Sequence, residues 1–202
     1  MNARAIVVVV VGFALGAAGA FALFPAAWHR LLPSADQGVS SKALVGGPFT
    51  LTDGTGKRVT EKDYRGRYML VFFGFTSCPD ICPAGLQLIS AALSKLGAKA
   101  DRVTPIFITV DPERDTPQKL AAYVKNFDSR LVGLTGTPEE IAAVAKAYKV
   151  YYNKVPNEDQ AGDYTMDHTG IIYVMDPGGE FVAHFTPSTT VDEMAAKLAK
   201  IL

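Results

Sequence analysis

The two cysteines of the chain stand four residues apart, at Cys78 and Cys82, within the segment TSCPDICP of residues 76–83. Thiolates are nucleophiles and soft metal ligands, so this pair could close a disulfide or bind one metal ion. An apolar run precedes the pair and a helix-like pattern follows it, and the N–H groups of a helix start favour the thiolate. If the segment is helical, the spacing brings both sulfurs to one face. Two buried structural cysteines are the alternative, which their place at a strand–helix turn, each directly before a proline, disfavours.

A metal site needs further ligands, and three histidines could supply them. His29 follows the apolar N-terminus and is interpreted as a residue of a membrane interface. His184 lies in a predicted strand without a Cys, Asp or Glu at ligand spacing, and is interpreted as structural or exposed. His168 differs from both, because it ends a long polar segment and directly precedes a predicted buried strand.

Alternating strand and helix patterns must position these side chains. Buried strands are continuous apolar runs, whereas helices show apolar residues three and four apart. The predicted strands are 49–52, 68–75, 103–110, 131–134, 169–175 and 180–185. The predicted helices are 83–96, 118–127, 141–148 and 191–202, and residues 153–167 are predicted to be a polar loop. Strands and helices that alternate in this way indicate a mixed sheet covered by helices.

The N-terminus has a composition unlike the rest of the chain. Residues 5–24 carry no charge and would form a helix about 30 Å long, which matches the hydrocarbon thickness of a bilayer. We therefore expect a membrane anchor at residues 1–28, a tether at 29–43 and one globular domain at 44–202. A cleaved signal peptide is the alternative, and Ala18-Gly19-Ala20 would suit cleavage. The short, weakly charged N-terminus favours a bacterial inner membrane, with the domain facing the periplasm or the cell exterior.

The charge balance excludes one class of partner. The chain has 20 basic and 20 acidic side chains and a formal net charge of zero. A protein that binds nucleic acid by neutralising phosphates shows a strong basic excess. We expect no nucleic-acid partner.

The order of the predicted elements resembles the thioredoxin-like fold. In that fold a cis-proline precedes the strand of the final hairpin and packs against the cysteine pair. The matching place here holds His168 and no proline. The resemblance therefore places His168 beside Cys78 and Cys82, and the departure favours a metal ligand over a general disulfide exchanger.

Three motifs closely resemble those of the Sco (SCO1/SenC) family of copper proteins. They are FGFTSCPDICP at residues 73–83, VDPERDTP at 110–117 and DHT at 167–169, within a match over about residues 43–202. The resemblance implies a membrane-anchored copper chaperone that helps assemble the dinuclear copper centre of cytochrome c oxidase. It also implies that Cys78, Cys82 and His168 are the copper ligands. The expected partners are the copper-bearing oxidase subunit and other copper chaperones or thiol reductants.

Ligand chemistry supports copper independently of the family. Two thiolates and one imidazole suit three-coordinate Cu(I), and an added water or weak ligand would allow Cu(II). A structural zinc site normally has four protein ligands. Asp167 could be a fourth ligand, a partner that orients the imidazole, or a loop carboxylate. Met166 could contact copper transiently or pack locally.

The acidic residues Asp111 and Asp115 follow a predicted strand at the same sheet edge as the cysteines. Together with Glu113 and Arg114 they could form a docking surface for a partner. A turn with charges at a helix start is the alternative, and it is slightly favoured.

Two functions remain open. A copper chaperone is not an enzyme, whereas a thiol-disulfide oxidoreductase would use Cys78 and Cys82 as a redox pair to reduce cysteines of a copper-accepting partner. A peroxidase of the peroxiredoxin type is disfavoured, because Phe75 stands where such a site has a threonine. His168 separates the two leading hypotheses.

Overall fold

The computed structural model describes residues 45–157 and 163–202, so the predicted anchor at 1–28, the tether at 29–43 and His29 lie outside the described residues. The strands are β1 Thr50–Asp53, β2 Arg58–Thr60, β3 Tyr68–Gly74, β4 Val103–Thr109, β5 Val132–Thr135, β6 Tyr152–Pro156, β7 Tyr164–His168, β8 Ile172–Met175 and β9 Phe181–Phe185. The α-helices are α1 Ile81–Leu96, α2 Pro117–Val124, α3 Pro138–Tyr148 and α4 Val191–Ile201. Short 3₁₀ helices cover Glu61–Tyr64 and Gly97–Arg102.

Seven strands form the main sheet, in the order β2-β1-β5-β4-β3-β8-β9. Strand β3 pairs in parallel with β4, and β4 with β5, whereas β8, β9, β1 and β2 join antiparallel. Along β3, Met69, Val71 and Phe73 point into one core, while Leu70 and Phe72 point into the other. A strand buried on both faces explains the continuous apolar run in its sequence, and the predicted mixed sheet is confirmed.

Helices cover both faces of this sheet. Helix α3 packs on one face, where the ring of Tyr148 lies 5.4 Å from that of Phe73. Helices α1, α2 and α4 share the core on the other face. Threonine side chains cap the starts of α2, α3 and α4 at Thr116, Thr137 and Thr190. The first two caps precede a proline, as the sequence predicts.

One described helical run, Ile81–Arg102, is long and apolar enough to cross a membrane by length and composition alone. Core helices of globular domains meet the same criterion. Leu86, Ile89 and Leu93 of this run are fully buried against the sheet. The run is therefore a core helix, and it is not the segment predicted to be an anchor.

The prediction of a loop over residues 153–167 is wrong in part. Strands β6 and β7 pair antiparallel, with Tyr152 opposite His168 and Pro156 opposite Tyr164. We call these two strands the ribbon. Four of the five β6 side chains are exposed, so no apolar alternation marks the strand in the sequence. The predicted strand 169–175 begins only at Ile172.

Candidate metal centre

The two cysteines lie where β3 passes into α1. Helix α1 begins at Ile81, so Cys82 is its second residue, whereas Cys78 lies in the preceding turn. The condition under which the four-residue spacing would bring both sulfurs to one helix face is therefore not met. A different contact joins them, because the backbone N–H of Cys82 donates to Cys78 Sγ at 3.4 Å. Both thiols are free, with Cys78 half-buried and Cys82 buried.

A glycine at the end of β3 lets the Cys82 sulfur approach the sheet. A Cβ atom at Gly74 would lie 2.5 Å from Cys82 Sγ and 2.7 Å from a ring carbon of Phe107. Both distances are shorter than real Cβ contacts allow, so the position requires glycine. Gly74 was not among the residues predicted to shape the site, although the sequence carries a signal for it. A glycine within a buried, aromatic-rich strand marks a close approach.

His168 is the last residue of β7 and is almost fully buried. Its Nε2 lies 3.3 Å from Cys82 Sγ, and its Nδ1 lies 3.2 Å from the carbonyl oxygen of Thr169. A carbonyl oxygen can only accept, so Nδ1 carries the proton and donates. Nε2 is then the nitrogen whose lone pair faces the sulfurs, which is the arrangement expected of a metal-binding imidazole. The edge of the imidazole also meets the ring of Phe75, with centroids 5.8 Å apart.

These three side chains form one compact donor set. The sulfurs of Cys78 and Cys82 and a ring nitrogen of His168 all lie within 4.8 Å of one another. In the described ranges, this is the one group of three or more His, Cys, Asp or Glu side chains close enough to hold a metal ion. Two thiolates and an imidazole are a soft donor set that suits Cu(I).

The cysteines differ in acidity because of how they face each other. The hydrogen bond from the Cys82 side chain lowers the pKa of Cys78 to about 4, against the effect of burial, and the backbone at Asp80 and Cys82 contributes to the lowering. The same contact with Cys78, together with burial, raises the pKa of Cys82. The half-buried sulfur is therefore the thiolate and the buried sulfur is the thiol.

The other sequence candidates near the histidine lie outside this donor set. Asp167 is exposed on the opposite face of β7, and the Thr169 carbonyl orients the imidazole in its place. Met166 belongs to the ribbon, and its side chain is buried in the core. His184 is exposed on β9, where its ring stacks on Phe181 with centroids 6.2 Å apart.

Asp111 and Asp115 are buried, so the docking interpretation is wrong for these two side chains. The alternative fits, because residues 112–114 form a turn and Asp115 and Thr116 directly precede α2, with Thr116 as its cap. Both carboxylates accept hydrogen bonds from neighbouring chain segments. Asp115 accepts from the backbone N–H of Thr76 at 2.9 Å, and Asp111 accepts from the hydroxyl of Tyr164 at 2.8 Å.

Comparisons with known proteins agree with this geometry. Human "Protein SCO1 homolog, mitochondrial" is 48% identical over 160 residues, which cover 78% of this chain and 53% of that protein. The chain thus spans about half the length of the curated relatives it first matches. The copper-bound structure of ScoI from Bradyrhizobium japonicum is 52% identical with a TM-score of 0.72, and the match covers 78% of this chain and 99% of that one.

A more distant solved structure is BsSco, described as a member of the Sco family of cytochrome c oxidase assembly proteins. It is 25% identical with a TM-score of 0.61, over 79% of this chain and 94% of that one. The predicted thioredoxin-like fold is thereby confirmed. The family model described as SCO1/SenC matches residues 37–202. The chain belongs to the SCO1/SenC family.

Proposed function

We propose that this protein binds one copper ion through Cys78, Cys82 and His168 and transfers the ion to a partner protein. The observation that carries the proposal is the compact donor set, whose three ligand atoms lie within 4.8 Å of one another. Soft thiolates suit Cu(I), and the half-buried Cys78 gives an incoming ligand access to the ion. Such a ligand could replace the protein donors one at a time.

The proposed recipient is the copper-bearing subunit of cytochrome c oxidase. Support comes from the copper bound to the related ScoI and from the description of BsSco as a member of a family of oxidase assembly proteins. Other copper chaperones or thiol reductants would supply the ion and keep the cysteines reduced. A Cys78–Cys82 disulfide would remove two of the three ligands, so oxidation would release the metal.

A second candidate function is thiol-disulfide oxidoreduction on the partner's cysteines. It is favoured by the asymmetry of the pair, because Cys78 has a lowered pKa and is half-buried while Cys82 is buried. Cys78 would attack a disulfide and Cys82 would resolve the mixed disulfide. Metal-free protein that reduces disulfides at rates typical of thioredoxins would support this function.

For the whole chain we propose an anchor at residues 1–28, a tether at 29–43 and a copper-binding domain at 44–202. The domain would face the periplasm or cell exterior from a bacterial inner membrane. The apolar, uncharged run at residues 5–24 supports the anchor. Intact mass of the mature protein tests it, because removal of the N-terminus would identify a cleaved signal peptide instead.

Copper titration of the reduced full-length protein in detergent tests the ligand set. The protein should bind one Cu(I), measured by metal analysis and by competition with a Cu(I) chelator. His168→Ala should weaken binding at least about 100-fold, because removal of one of three ligands leaves the ion two-coordinate. His184→Ala is the matched control and should bind like the parent, since His184 is exposed on β9.

Two results would contradict the proposal. A reduced parent protein that fails to bind copper stoichiometrically excludes copper handling by this site. A His168→Ala variant that binds as tightly as the parent excludes the three-ligand set, whatever its thiol activity.

A further inference from the structure

A five-residue segment after β4, Asp111–Asp115, contacts both halves of the donor set; we call it the acidic segment. Strands β3 and β4 are parallel neighbours, so the residues that follow them meet at one edge of the sheet. Residues 75–82, where β3 passes into α1, carry both cysteines, and we call them the cysteine turn. The cysteine turn follows β3 and the acidic segment follows β4. His168 reaches the same edge from the ribbon.

Asp115 holds the cysteine half. Its carboxylate accepts from the backbone N–H of Thr76 at 2.9 Å and from the Thr76 hydroxyl at 2.5 Å. A third hydrogen bond comes from the hydroxyl of Thr109 at 2.8 Å, and Lys119 lies 3.3 Å away. Thr76 is two residues before Cys78, so these contacts fix the start of the cysteine turn.

Asp111 and Arg114 hold the histidine half. Arg114 pairs with Asp111 through its Nε and donates from Nη1 to the backbone carbonyl of Tyr164 at 2.8 Å. Its guanidinium lies 3.8 Å from the centroid of the Tyr164 ring. The hydroxyl of the same tyrosine donates to Asp111 at 2.8 Å. Burial and this hydrogen bond raise the pKa of Tyr164 to about 12, so the hydroxyl remains a donor at neutral pH.

The ribbon depends on such contacts, and on the packing of Met166 into the core, because it is separate from the main sheet. Strands β6 and β7 pair with each other and form a two-stranded sheet of their own. Isolated two-stranded sheets are marginally stable in water. Tyr164 and His168 are four residues apart on one strand, so their side chains lie on the same face. A contact that fixes Tyr164 therefore fixes the face that carries the imidazole.

We propose that Asp111 and Arg114 are positioning residues, which hold the ribbon so that His168 stays within bonding distance of the same ion as the two cysteines. Asp115 holds the opposite half from the same segment, so the five residues fix the spacing between the halves. This inference rests on the proposed copper function, but its structural part does not. The ribbon should be held in this way with or without metal.

Hydrogen exchange of the metal-free, reduced full-length protein tests the structural part. Arg114→Gln removes the cation and the fork of donors that contacts Asp111 and Tyr164. Amides of β6, of β7 and of Thr169 should exchange at least about tenfold faster, while amides of β3 stay unchanged. The matched control is Arg130→Gln, which breaks a bidentate pair with Asp128 before β5, at the opposite edge of the sheet. The control should leave the ribbon unchanged.

Copper binding by the same proteins tests the positioning of the ligand. Arg114→Gln should bind Cu(I) at least about tenfold more weakly, with one ion still bound. Its Cu(II) complex should show an altered thiolate-to-copper absorption band, because the imidazole no longer holds its place. Arg114→Lys keeps the positive charge but lacks the several N–H donors of the guanidinium. Its copper affinity should lie between those of Arg114→Gln and the parent.

Tyr164→Phe keeps the ring under Arg114 and removes only the hydroxyl that donates to Asp111. It is the variant to use if Arg114→Gln does not fold. In this variant the amides of the ribbon should exchange about threefold to tenfold faster than in the parent. Copper should also bind more weakly, as in Arg114→Gln. Unchanged ribbon exchange in a folded Arg114→Gln, or in Tyr164→Phe where that variant is used instead, would overturn the inference.

The copper measurements separate this inference from the proposed function. Faster ribbon exchange with copper affinity and spectrum unchanged would also overturn the inference, although copper would still bind. Failure of the parent to bind copper would overturn the proposed function, and the positioning role with it. In that case the exchange data would still report whether the acidic segment holds the ribbon.

Discussion

The cysteine turn and the ribbon supply the two halves of one donor set from very different surroundings. The turn lies between β3, buried on both faces, and α1, whose inner face is buried. The ribbon is a two-stranded sheet beside the main one, and most side chains of β6 are exposed. One half thus lies between two core elements, whereas the other meets the core on one face only, through Met166, Tyr152 and Tyr164, and is held there by polar contacts as well.

This difference suggests that the cysteine and histidine ligands of the proposed copper site differ in how readily they leave the ion. We therefore expect the cysteines to lie in a part of the molecule that opens only with global unfolding, and the histidine in a part that can open locally. A site in which one ligand can leave without loss of the fold suits the transfer of a bound ion. Substitutions in each half can establish whether the two really differ in this way.

The largest effect is expected at Gly74, beneath the cysteine turn. Gly74→Ala would place a methyl group 2.5 Å from Cys82 Sγ and 2.7 Å from the Phe107 ring. We expect the free energy of unfolding to fall by about 3 kcal/mol, near the top of the range for overpacked cores. Gly47→Ala is the control, because its added methyl would meet only Ala147 at an ordinary 3.4 Å. Denaturant titration measures both, and equal stabilities would contradict the close packing of this half.

A smaller loss is expected at Thr76, where the cysteine turn meets the acidic segment. Thr76→Val keeps the shape of the side chain and removes the hydroxyl that donates to Asp115 at 2.5 Å. Loss of a hydrogen bond to a buried carboxylate should lower the free energy of unfolding by about 1.5–2 kcal/mol. The same change at exposed Thr165 on the ribbon should stay within about 0.5 kcal/mol. Similar losses of unfolding free energy in the Thr76 and Thr165 variants would show that the two halves do not differ in how firmly they are held.

Cys78 should carry a negative charge at neutral pH in the metal-free protein. Because its pKa is lowered to about 4, the reactive thiolate persists through neutral pH and is lost as pH falls through about 4. The stabilisation of the folded state by this thiolate is complete above the unfolded thiol pKa of about 8.5, declines as pH falls below that value, and is lost as pH falls through the folded pKa. Alkylation of metal-free protein by iodoacetamide, read by mass spectrometry, should follow this curve.

Cys82→Ala is the diagnostic change, since the Cys82 side chain is the largest cause of the lowered pKa of Cys78. The midpoint of Cys78 alkylation should rise toward the ordinary thiol value of about 8.5. Cys82→Ser retains a hydroxyl donor and should rise less. An unchanged midpoint in Cys82→Ala would show that the acidity of Cys78 does not come from its partner.

The smallest effect is expected on the outer side of the ribbon. Lys154 of β6 pairs with Glu113 of the acidic segment at 2.6 Å, but both side chains are about half exposed. Exposed ion pairs contribute little, so Lys154→Ala should lower the free energy of unfolding by less than about 1 kcal/mol and less still in high salt. Copper affinity should change less than about threefold. A loss of copper affinity comparable to that of Arg114→Gln would mean that surface charge, and not the contacts of Asp111 and Arg114 with Tyr164, holds the ribbon.

Much of the fold was predictable because the core of this protein repeats simple patterns. The apolar run of β3 and the threonine and proline residues at the starts of α2 and α3 gave correct elements within a few residues. The ribbon was missed because β6 is mostly exposed and its residues follow no apolar alternation. Strand formation there depends on pairing with β7, which local sequence does not record.

The amino-acid sequence alone was enough to identify the cysteine pair, its place at a strand end and the mixed sheet that carries it, because burial imposes periodic patterns on a chain. A resemblance was needed to bring His168 beside the cysteines, since 86 residues separate it from Cys82. Only the tertiary structure showed that the Thr169 carbonyl orients the imidazole and that Asp111, Arg114 and Asp115 lie between the two halves. Hydrogen bonds between distant segments form only when the whole chain has folded, and they leave no local periodicity in the sequence.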